Sequence, residues 1–560
     1  MACKLAPLLL SAMCGLALML PFRSYDGSLP AWVALAPMFW LTARLEKTRC
    51  AVLCAFVFAL AWTVPSFTFL WHLTAPGTVA LAIYTSLFYV GALLAVRRLA
   101  RCGVVPAVFG TAAVWALVEL LRATVPILGF PWLLLGHTLL HAEHLRQGAD
   151  LLGVYGLSFL IAAVNAWLAF ALPAWLPQRW QAVPHADRKR PWPVSVLTAA
   201  LLLSAFVYGA ARISALRPRL QAGPLIGVIQ GDIAQKLGRS DEELGAQLRG
   251  HLELHRQVIA AARQATGDPP ALVCWAETMV PGSLNVDEWG AAFKREVAAS
   301  GVPTLAGSNL WVFADAAVPG AEPRCYNAAY LFDGGGNELL RYFKRRLVPF
   351  GEYIPLAERF PVLKCLRSIT RDQYAPGAAP SPVCTVPQTA APGTTGYRIA
   401  VNICVEDIHP DLAREAVLAG ADTLVNLTND GWFYHTFGPR SHMVAAAWRA
   451  IEVRRPLLRV TNTGRTVAVD PLGRIETLIP AETVGTACVR LQRIAADEAA
   501  RSAGSPHTVA LWLGDLGMGV VFLLVLGGSL LARRTPPLTF CQKGDTESGG
   551  THATVIRIMI

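Results

Sequence analysis

The sequence predicts two parts in one chain: an all-α bundle of about eight transmembrane helices, and an α/β domain with mixed sheets lying outside it. Three observations carry that expectation. Of the 560 residues, 54% are hydrophobic and only 16% are charged, against roughly 25% charged in an ordinary soluble domain. The apolar excess is confined to residues 5–213 and 508–532, and the stretch between them has the composition of a soluble protein. Within that stretch, short β-like runs alternate with amphipathic helical ones.

A spanning helix needs about 20 mostly apolar residues. Such runs fall at 5–21, 29–43, 50–70, 76–96, 104–122, 151–175 and 193–213, and again at 508–532. The second is short and holds Pro30 and Pro37. Lys4 ahead of the first run resembles the start of a signal peptide, but no A-x-A cleavage site follows and further spans come soon after, so it reads as a span. The expected organisation is a bundle at 1–213, a folded domain at 214–507, a closing span at 508–532 and a polar tail at 533–560. The Gly, Thr and Ser content of that tail predicts disorder.

The formal net charge is +11, and its placement is informative. Arg44, Lys47 and Arg49 lie between spans two and three; Arg97, Arg98 and Arg101 between four and five; Arg179, Arg188, Lys189 and Arg190 between six and seven; Arg533 and Arg534 follow the last span. Lys and Arg mark cytoplasmic loops in this way, which accounts for the charge without a nucleic-acid partner. Both termini are then cytoplasmic and residues 214–507 lie on the other side. The opposite gaps hold aromatic stretches, Ser66–His72 and Gly129–Trp132, expected as an interfacial belt or as a lipid-facing vestibule under the outer domain. The twelve cysteines form no CxxC pair and no Cys/His cluster with zinc-like spacing, so neither a metal nor a cofactor is called for.

In the outer domain, Leu225–Gln230 reads as a strand and 240–266 as a helix, with Leu244, Leu248, Leu252 and Val258 at helical spacing. Ala271–Ala276 is a buried-strand run that ends at Glu277. A helix fits 286–299, and Thr304–Gly307 begins the next strand. Asn327–Phe332 and Leu339–Phe343 flank the turn Asp333-Gly-Gly-Gly, a hairpin signal, and Lys344 follows. Arg398–Ile403 is a strand ending at Cys404. A helix fits 410–419, a strand 423–427 and a helix 438–451, with further strands at 457–460 and 466–469. Functional side chains in α/β sheets gather where strands end, and three such ends carry a carboxylate, an amine and a thiol.

Three segments, Trp275-Ala-Glu277, Lys344-Arg-Arg-Leu-Val-Pro-Phe-Gly-Glu352 and Asn402-Ile-Cys404-Val-Glu406, resemble the three catalytic signatures of the nitrilase superfamily. The second of them, together with Asn429-Asp-Gly-Trp-Phe433 and Arg454–Gly464, resembles the apolipoprotein N-acyltransferase family, and the likeness covers nearly the whole chain. It implies a nitrilase-like αββα sandwich in the periplasm on an inner-membrane bundle. It implies Cys404 as nucleophile, Glu277 as general base and Lys344 as stabiliser of the tetrahedral intermediate. Glu352, Glu406 and Asn327 match supporting positions, and Trp432 a lipid-facing one. The implied reaction is ping-pong. Cys404 takes an acyl chain from a phospholipid, phosphatidylethanolamine in the family, and passes it to the α-amino group of a diacylglyceryl apolipoprotein.

A free thiol is only slightly ionised at neutral pH, so a carboxylate in reach would take its proton, while an ammonium favours both thiolate and oxyanion. Two positions depart from the family: Val405 stands where Tyr is usual, and Gly238-Arg239 where Trp is common, which touches donor preference rather than the transfer chemistry. Cys365 and Cys384 flank a Pro/Gly/Ala-rich stretch and could pair or stay as thiols. The loop 352–397 is expected to move over the site. Two other readings use the same residues differently: a membrane-tethered amidase with water as acceptor, or a receptor or transporter. The spans carry few interior charges, which speaks against an ion pathway.

Overall fold

The computed structural model describes residues 5–25, 27–71, 74–126, 128–175, 191–234, 238–313, 323–357, 359–362, 365, 373–386, 397–495, 508–532, 538–540 and 556–558. Seven helices among them are long and apolar enough to cross a membrane: Leu5–Arg23, Thr48–Ser66, Ala75–Leu99, Pro106–Thr124, Leu145–Ala171, Trp192–Arg219 and Val509–Leu531.

The expected span at 29–43 is instead two short helices, Leu29–Val33 and Ala36–Arg44. Each has a proline in its first turn, where the missing N–H costs nothing. The break leaves backbone groups to be satisfied inside the bundle. Asn165 does this: its Oδ1 accepts from the N–H of Leu35 and of Ala36 at 2.9 and 3.0 Å, and its Nδ2 donates to the Ala31 carbonyl at 2.9 Å.

The outer domain has two six-stranded sheets. The first is built from β1 (Leu220–Gln230), β2 (Leu272–Cys274), β3 (Thr304–Val312), β4 (Arg324–Phe332), β5 (Glu338–Phe343) and β12 (Gly485–Ile494), in the order β12-β1-β2-β3-β4-β5. The second takes β6 (Cys384–Val386), β7 (Tyr397–Ile403), β8 (Thr423–Thr428), β9 (Leu457–Thr461), β10 (Thr466–Val469) and β11 (Ile475–Ile479), in the order β11-β10-β9-β8-β7-β6. In each sheet three central strands run parallel and all the other pairings are antiparallel. Ile226, Val228, Leu272 and Leu305 of the first sheet share one core with Val401, Ile403, Val425 and Leu458 of the second.

Helices Asp241–Thr266 and Glu288–Ser300 cover the first sheet on its outer face. Ser240 starts the longer one with a capping box, its hydroxyl accepting from Glu243 N–H while Glu243 accepts from Ser240 N–H. Helices Pro410–Leu418 and Gly438–Val453 cover the second sheet, which completes an αββα sandwich.

Helix 438–453 is buried almost all round, because its far side rests on the membrane bundle. Met443, Val444, Trp448 and Ile451 share a core with Phe39, Trp115, Leu134 and Tyr155. Polar contacts fix the joint. Arg454 donates to Asp150 Oδ2 at 2.8 and 3.0 Å and to Gln147 Oε1 at 2.6 Å. Glu452 accepts from the Val154 N–H at 3.0 Å, where the helix bends at Gly153. The two aromatic membrane loops also pack at the joint. Phe69 meets Trp132, Phe433 and Phe437 with ring centroids 5.2, 5.3 and 5.4 Å apart. In the tail, Leu538–Phe540 and Ile556–Ile558 pair as a short antiparallel ribbon, and the remainder of 533–560 lies outside the described residues.

Candidate active site

Glu277 leaves the end of β2 beside Gly307 of β3. A Cβ at Gly307 would stand 2.7 Å from the Glu277 Cα, so only glycine lets the two backbones approach this closely. Lys344 follows β5, and its N–H donates to the Asn327 carbonyl at 2.9 Å. Cys404 follows β7 with φ of 54°, the left-handed region that costs a non-glycine residue roughly 1–2 kcal/mol. Its carbonyl accepts from Asn426 Nδ2 at 3.0 Å. Cys404 is 8% exposed and the Lys344 side chain 1%.

Hydrogen bonds draw these ends together. Glu277 Oε1 accepts from Asn327 Nδ2 at 2.7 Å and Lys344 Nζ at 3.1 Å, and its Oε2 accepts from the Asn429 N–H at 2.8 Å, across the sandwich from the second sheet. Lys344 Nζ also donates to Glu352 Oε1 at 2.7 Å, and Glu352 Oε2 accepts from the Val348 N–H at 2.8 Å. Glu406, fully buried, joins the lysine loop to the cysteine turn. It accepts from Tyr342 OH (2.8 Å), Arg345 N–H (2.6 Å), Arg346 N–H (3.0 Å) and Ile403 N–H (2.8 Å).

Electrostatics couple the three groups. Burial first, then Glu277 and Glu352, push the Cys404 thiol up, against the opposing pull of Lys344. The lysine therefore favours the thiolate in sign but is outweighed, and the thiol rests protonated. Burial disfavours the Lys344 ammonium, yet Cys404, Glu277 and Glu352 hold its pKa well above the ordinary lysine value. Burial raises the Glu352 carboxyl, opposed by Lys344. The result is a buried cluster of one cation and two carboxyls beside the thiol, whose own side-chain hydrogen bond to Thr428 favours the thiolate without reversing the upward push. Among the described residues no group of three His, Cys, Asp or Glu could hold a metal ion.

Asn327, Glu352 and Glu406 are thus in or against the cluster. Trp432 is half-buried on the turn Asp430–Phe433, whose Phe433 packs on Phe69. Val405 packs toward the membrane-side core. Arg239 donates to Gln247 and to the Ala234 carbonyl, beside a cavity of about 590 Å³ also lined by His251, Leu254 and Val484. No disulfide joins Cys365 and Cys384 among the described residues. Of the loop 352–397, the stretch 373–386 is tied down: Gly377 N–H donates to the Lys344 carbonyl at 2.8 Å, and β6 pairs with β7. Residues 387–396 lie outside the described residues. Tyr342, Asn426 and the Asn429 N–H went unread in the sequence, since their partners are 22 to 152 residues away.

The αββα sandwich of two mixed sheets is nitrilase-like, and residues 225–501, which hold Glu277, Lys344 and Cys404, match the carbon-nitrogen hydrolase family. Residues 14–167 match the apolipoprotein N-acyltransferase N-terminal domain. An apolipoprotein N-acyltransferase from Geobacter metallireducens is 31% identical over 84% of this chain and 87% of its own. One from Bradyrhizobium diazoefficiens is 30% identical over 86% of each. An amidase structure from Nesterenkonia sp. is a distant likeness, 18% identical over 49% of this chain and 92% of its own with a TM-score of 0.34. The chain belongs to the apolipoprotein N-acyltransferase family.

Proposed function

We propose that the chain transfers a fatty acyl group from a phospholipid, phosphatidylethanolamine among them, to the α-amino group of a diacylglyceryl apolipoprotein. The observation that carries this is a buried Glu277–Lys344–Glu352 cluster coupled to the Cys404 thiol, in a domain whose own helix 438–453 is seated on a membrane bundle. In the first half-reaction Cys404 Sγ attacks the ester carbonyl while its proton passes to Glu277. Negative charge moves to the carbonyl oxygen, where the Lys344 ammonium stabilises it. Collapse breaks the C–O bond, the leaving alkoxide takes the proton back from Glu277, and a lysophospholipid departs. The thioester remains on Cys404. In the second half-reaction the neutral amine attacks the thioester, Glu277 takes the amine's proton, and the departing sulfur receives it as the amide forms. The raised thiol pKa supports this order: the nucleophile is made during attack rather than held as a standing ion pair.

Both substrates are anchored in the membrane by acyl chains, which accounts for the bundle. Orientation on the extracytoplasmic side is supported by the charge of the loops. Arg97 donates to the Leu45 carbonyl at 3.0 Å, so two basic gaps lie together at the start of helix Thr48–Ser66. The aromatic loop bearing Phe69, on which the catalytic domain rests, follows the other end of that 19-residue helix, about 28 Å away.

The test is mass spectrometry of the full chain after incubation with phosphatidylethanolamine vesicles, followed by addition of a diacylglyceryl peptide. An acyl mass on the Cys404 peptide that moves to the acceptor amine is expected. Release of free fatty acid without transfer points to the amidase reading, and undiminished function in Cys404→Ala would remove the enzyme reading altogether.

A further inference from the structure

Behind the nucleophile lies a second charged cluster that the acyl-transfer chemistry does not use. Asp407, Asp430, His442 and Arg459 are all fully buried. Arg459 donates from Nε to Asp407 Oδ2 at 3.1 Å and from its two terminal nitrogens to Asp430 Oδ2 and Oδ1 at 3.0 and 3.1 Å. His442 Nδ1 is 2.9 Å from Asp430 Oδ1 and 2.8 Å from an Arg459 terminal nitrogen. Its Nε2 lies 2.9 Å from Asp407 Oδ1. Two carboxylates face one guanidinium, and a protonated imidazole would bring the buried sum to zero. Burial disfavours that proton and Arg459 opposes it, but Asp407 and Asp430 raise the imidazole's pKa above its ordinary value.

The two aspartates belong to the two segments that present the catalytic groups. Asp407 is in the turn Cys404–Ile408, three residues beyond the left-handed Cys404. Asp430 follows Asn429, whose N–H holds Glu277 Oε2. The imidazole therefore grips both segments at once. On its other side lies the Trp132 ring of the membrane loop, 5.0 Å between centroids, and the Trp132 indole N–H donates to Ser441 Oγ at 2.8 Å. Arg122 fixes the Trp132 carbonyl at 2.9 Å.

We propose that His442 is a positioning residue for acyl transfer, bridging Asp407 and Asp430 so that the Cys404 turn and the Glu277-holding loop keep one relative geometry against membrane-loop Trp132. This role rests on the acyl-transfer reading above. It acts through the placement of nucleophile and base, so it affects the rate of thioester formation and leaves lipid binding alone.

The experiment compares the wild-type chain with His442→Ala and His442→Gln in phosphatidylethanolamine nanodiscs, with two readouts on the Cys404 peptide: the thioester formation rate against lipid concentration, and the alkylation rate with iodoacetamide. Misplacing reacting groups by about 1 Å costs on the order of 10²-fold. His442→Ala is expected to lose about that factor in the maximal thioester rate with an unchanged half-saturating lipid concentration, and His442→Gln, which keeps one hydrogen bond to an aspartate, to lose less. Alkylation is expected to slow in the same order. Should His442→Ala not fold, the glutamine variant decides. A wild-type maximal rate in a variant whose melting temperature has fallen would overturn the proposal, as would a raised half-saturation at an unchanged maximal rate. If the wild-type chain alkylates faster than the variants yet forms no thioester with lipid, positioning stands and the acyl-transfer reading fails.

Discussion

Glu406 gives the sharpest test of how the site is assembled. Its carboxylate accepts four hydrogen bonds, three from backbone N–H groups and one from Tyr342, with no exposure to solvent. Replacing it by alanine strands four donors, each at about 1–3 kcal/mol. The lower end of the sum, about 4 kcal/mol, is already comparable to the 5–15 kcal/mol that holds a typical protein folded. Glutamine is milder. Its amide oxygen can take the place of Oε1 and keep Tyr342, Arg345 and Arg346, but its NH₂ then faces the Ile403 N–H, a single lost acceptor costing about 1–3 kcal/mol. Ile403 adjoins Cys404, so that residual damage falls on the nucleophile. We expect the melting temperature of the detergent-solubilised chain to fall in the order wild type, Glu406→Gln, Glu406→Ala, and thioester formation in Glu406→Gln to slow by about 10²-fold. Equal melting temperatures for the two variants, or a wild-type rate in Glu406→Gln, would show that these bonds do not hold the cysteine turn in place.

Lys344→Met leaves Glu277 and Glu352 buried side by side without their cation, a change worth about 3–5 kcal/mol; thioester formation on Cys404, followed by mass spectrometry, is expected to drop by about 10²–10³-fold. Asn165→Ala removes the acceptor for the Leu35 and Ala36 N–H groups inside the bundle, so thermal stability should fall by about 1–3 kcal/mol per stranded group, read by melting in a fixed detergent. Asp430 tests the buried quartet by pH. Burial works against its charge, but Arg459 and His442 outweigh it and hold the carboxyl at about 2 rather than 3.8. A depressed acid stabilises the fold above its unfolded value and loses that contribution as pH falls toward the folded one. The gap in melting temperature between wild type and Asp430→Asn should therefore be full above 3.8 and narrow toward 2; a gap independent of pH across that window would refute the assignment.

Local pattern alone revealed much of this protein. Periodicity and apolar run length marked the spans and most strands and helices of the sandwich, because side-chain burial repeats every two or 3.6 residues along one segment. The same pattern put Glu277, Lys344 and Cys404 at three strand ends, and their motifs pointed to the family. β12 was overlooked although its buried Val489 and Leu491 alternate with exposed neighbours, a faint signal among polar residues. Pro30 and Pro37 stand out in the sequence, but a single span was expected there, and neither the break at 34–35 nor its cure by Asn165, 130 residues away, was legible. Helix 438–453 reads as an ordinary domain helix until the bundle is seen to cover its second face. Only the folded chain decided that Glu277 and Lys344 share a hydrogen bond over 67 residues, that Glu406 ties two loops 61 residues apart, and that His442 bridges the turns behind Cys404. The physical reason is range. Propensity and periodicity act between neighbours in sequence, whereas the pairing of buried charges depends on distances that exist only after the two sheets and the membrane helices have closed on one another.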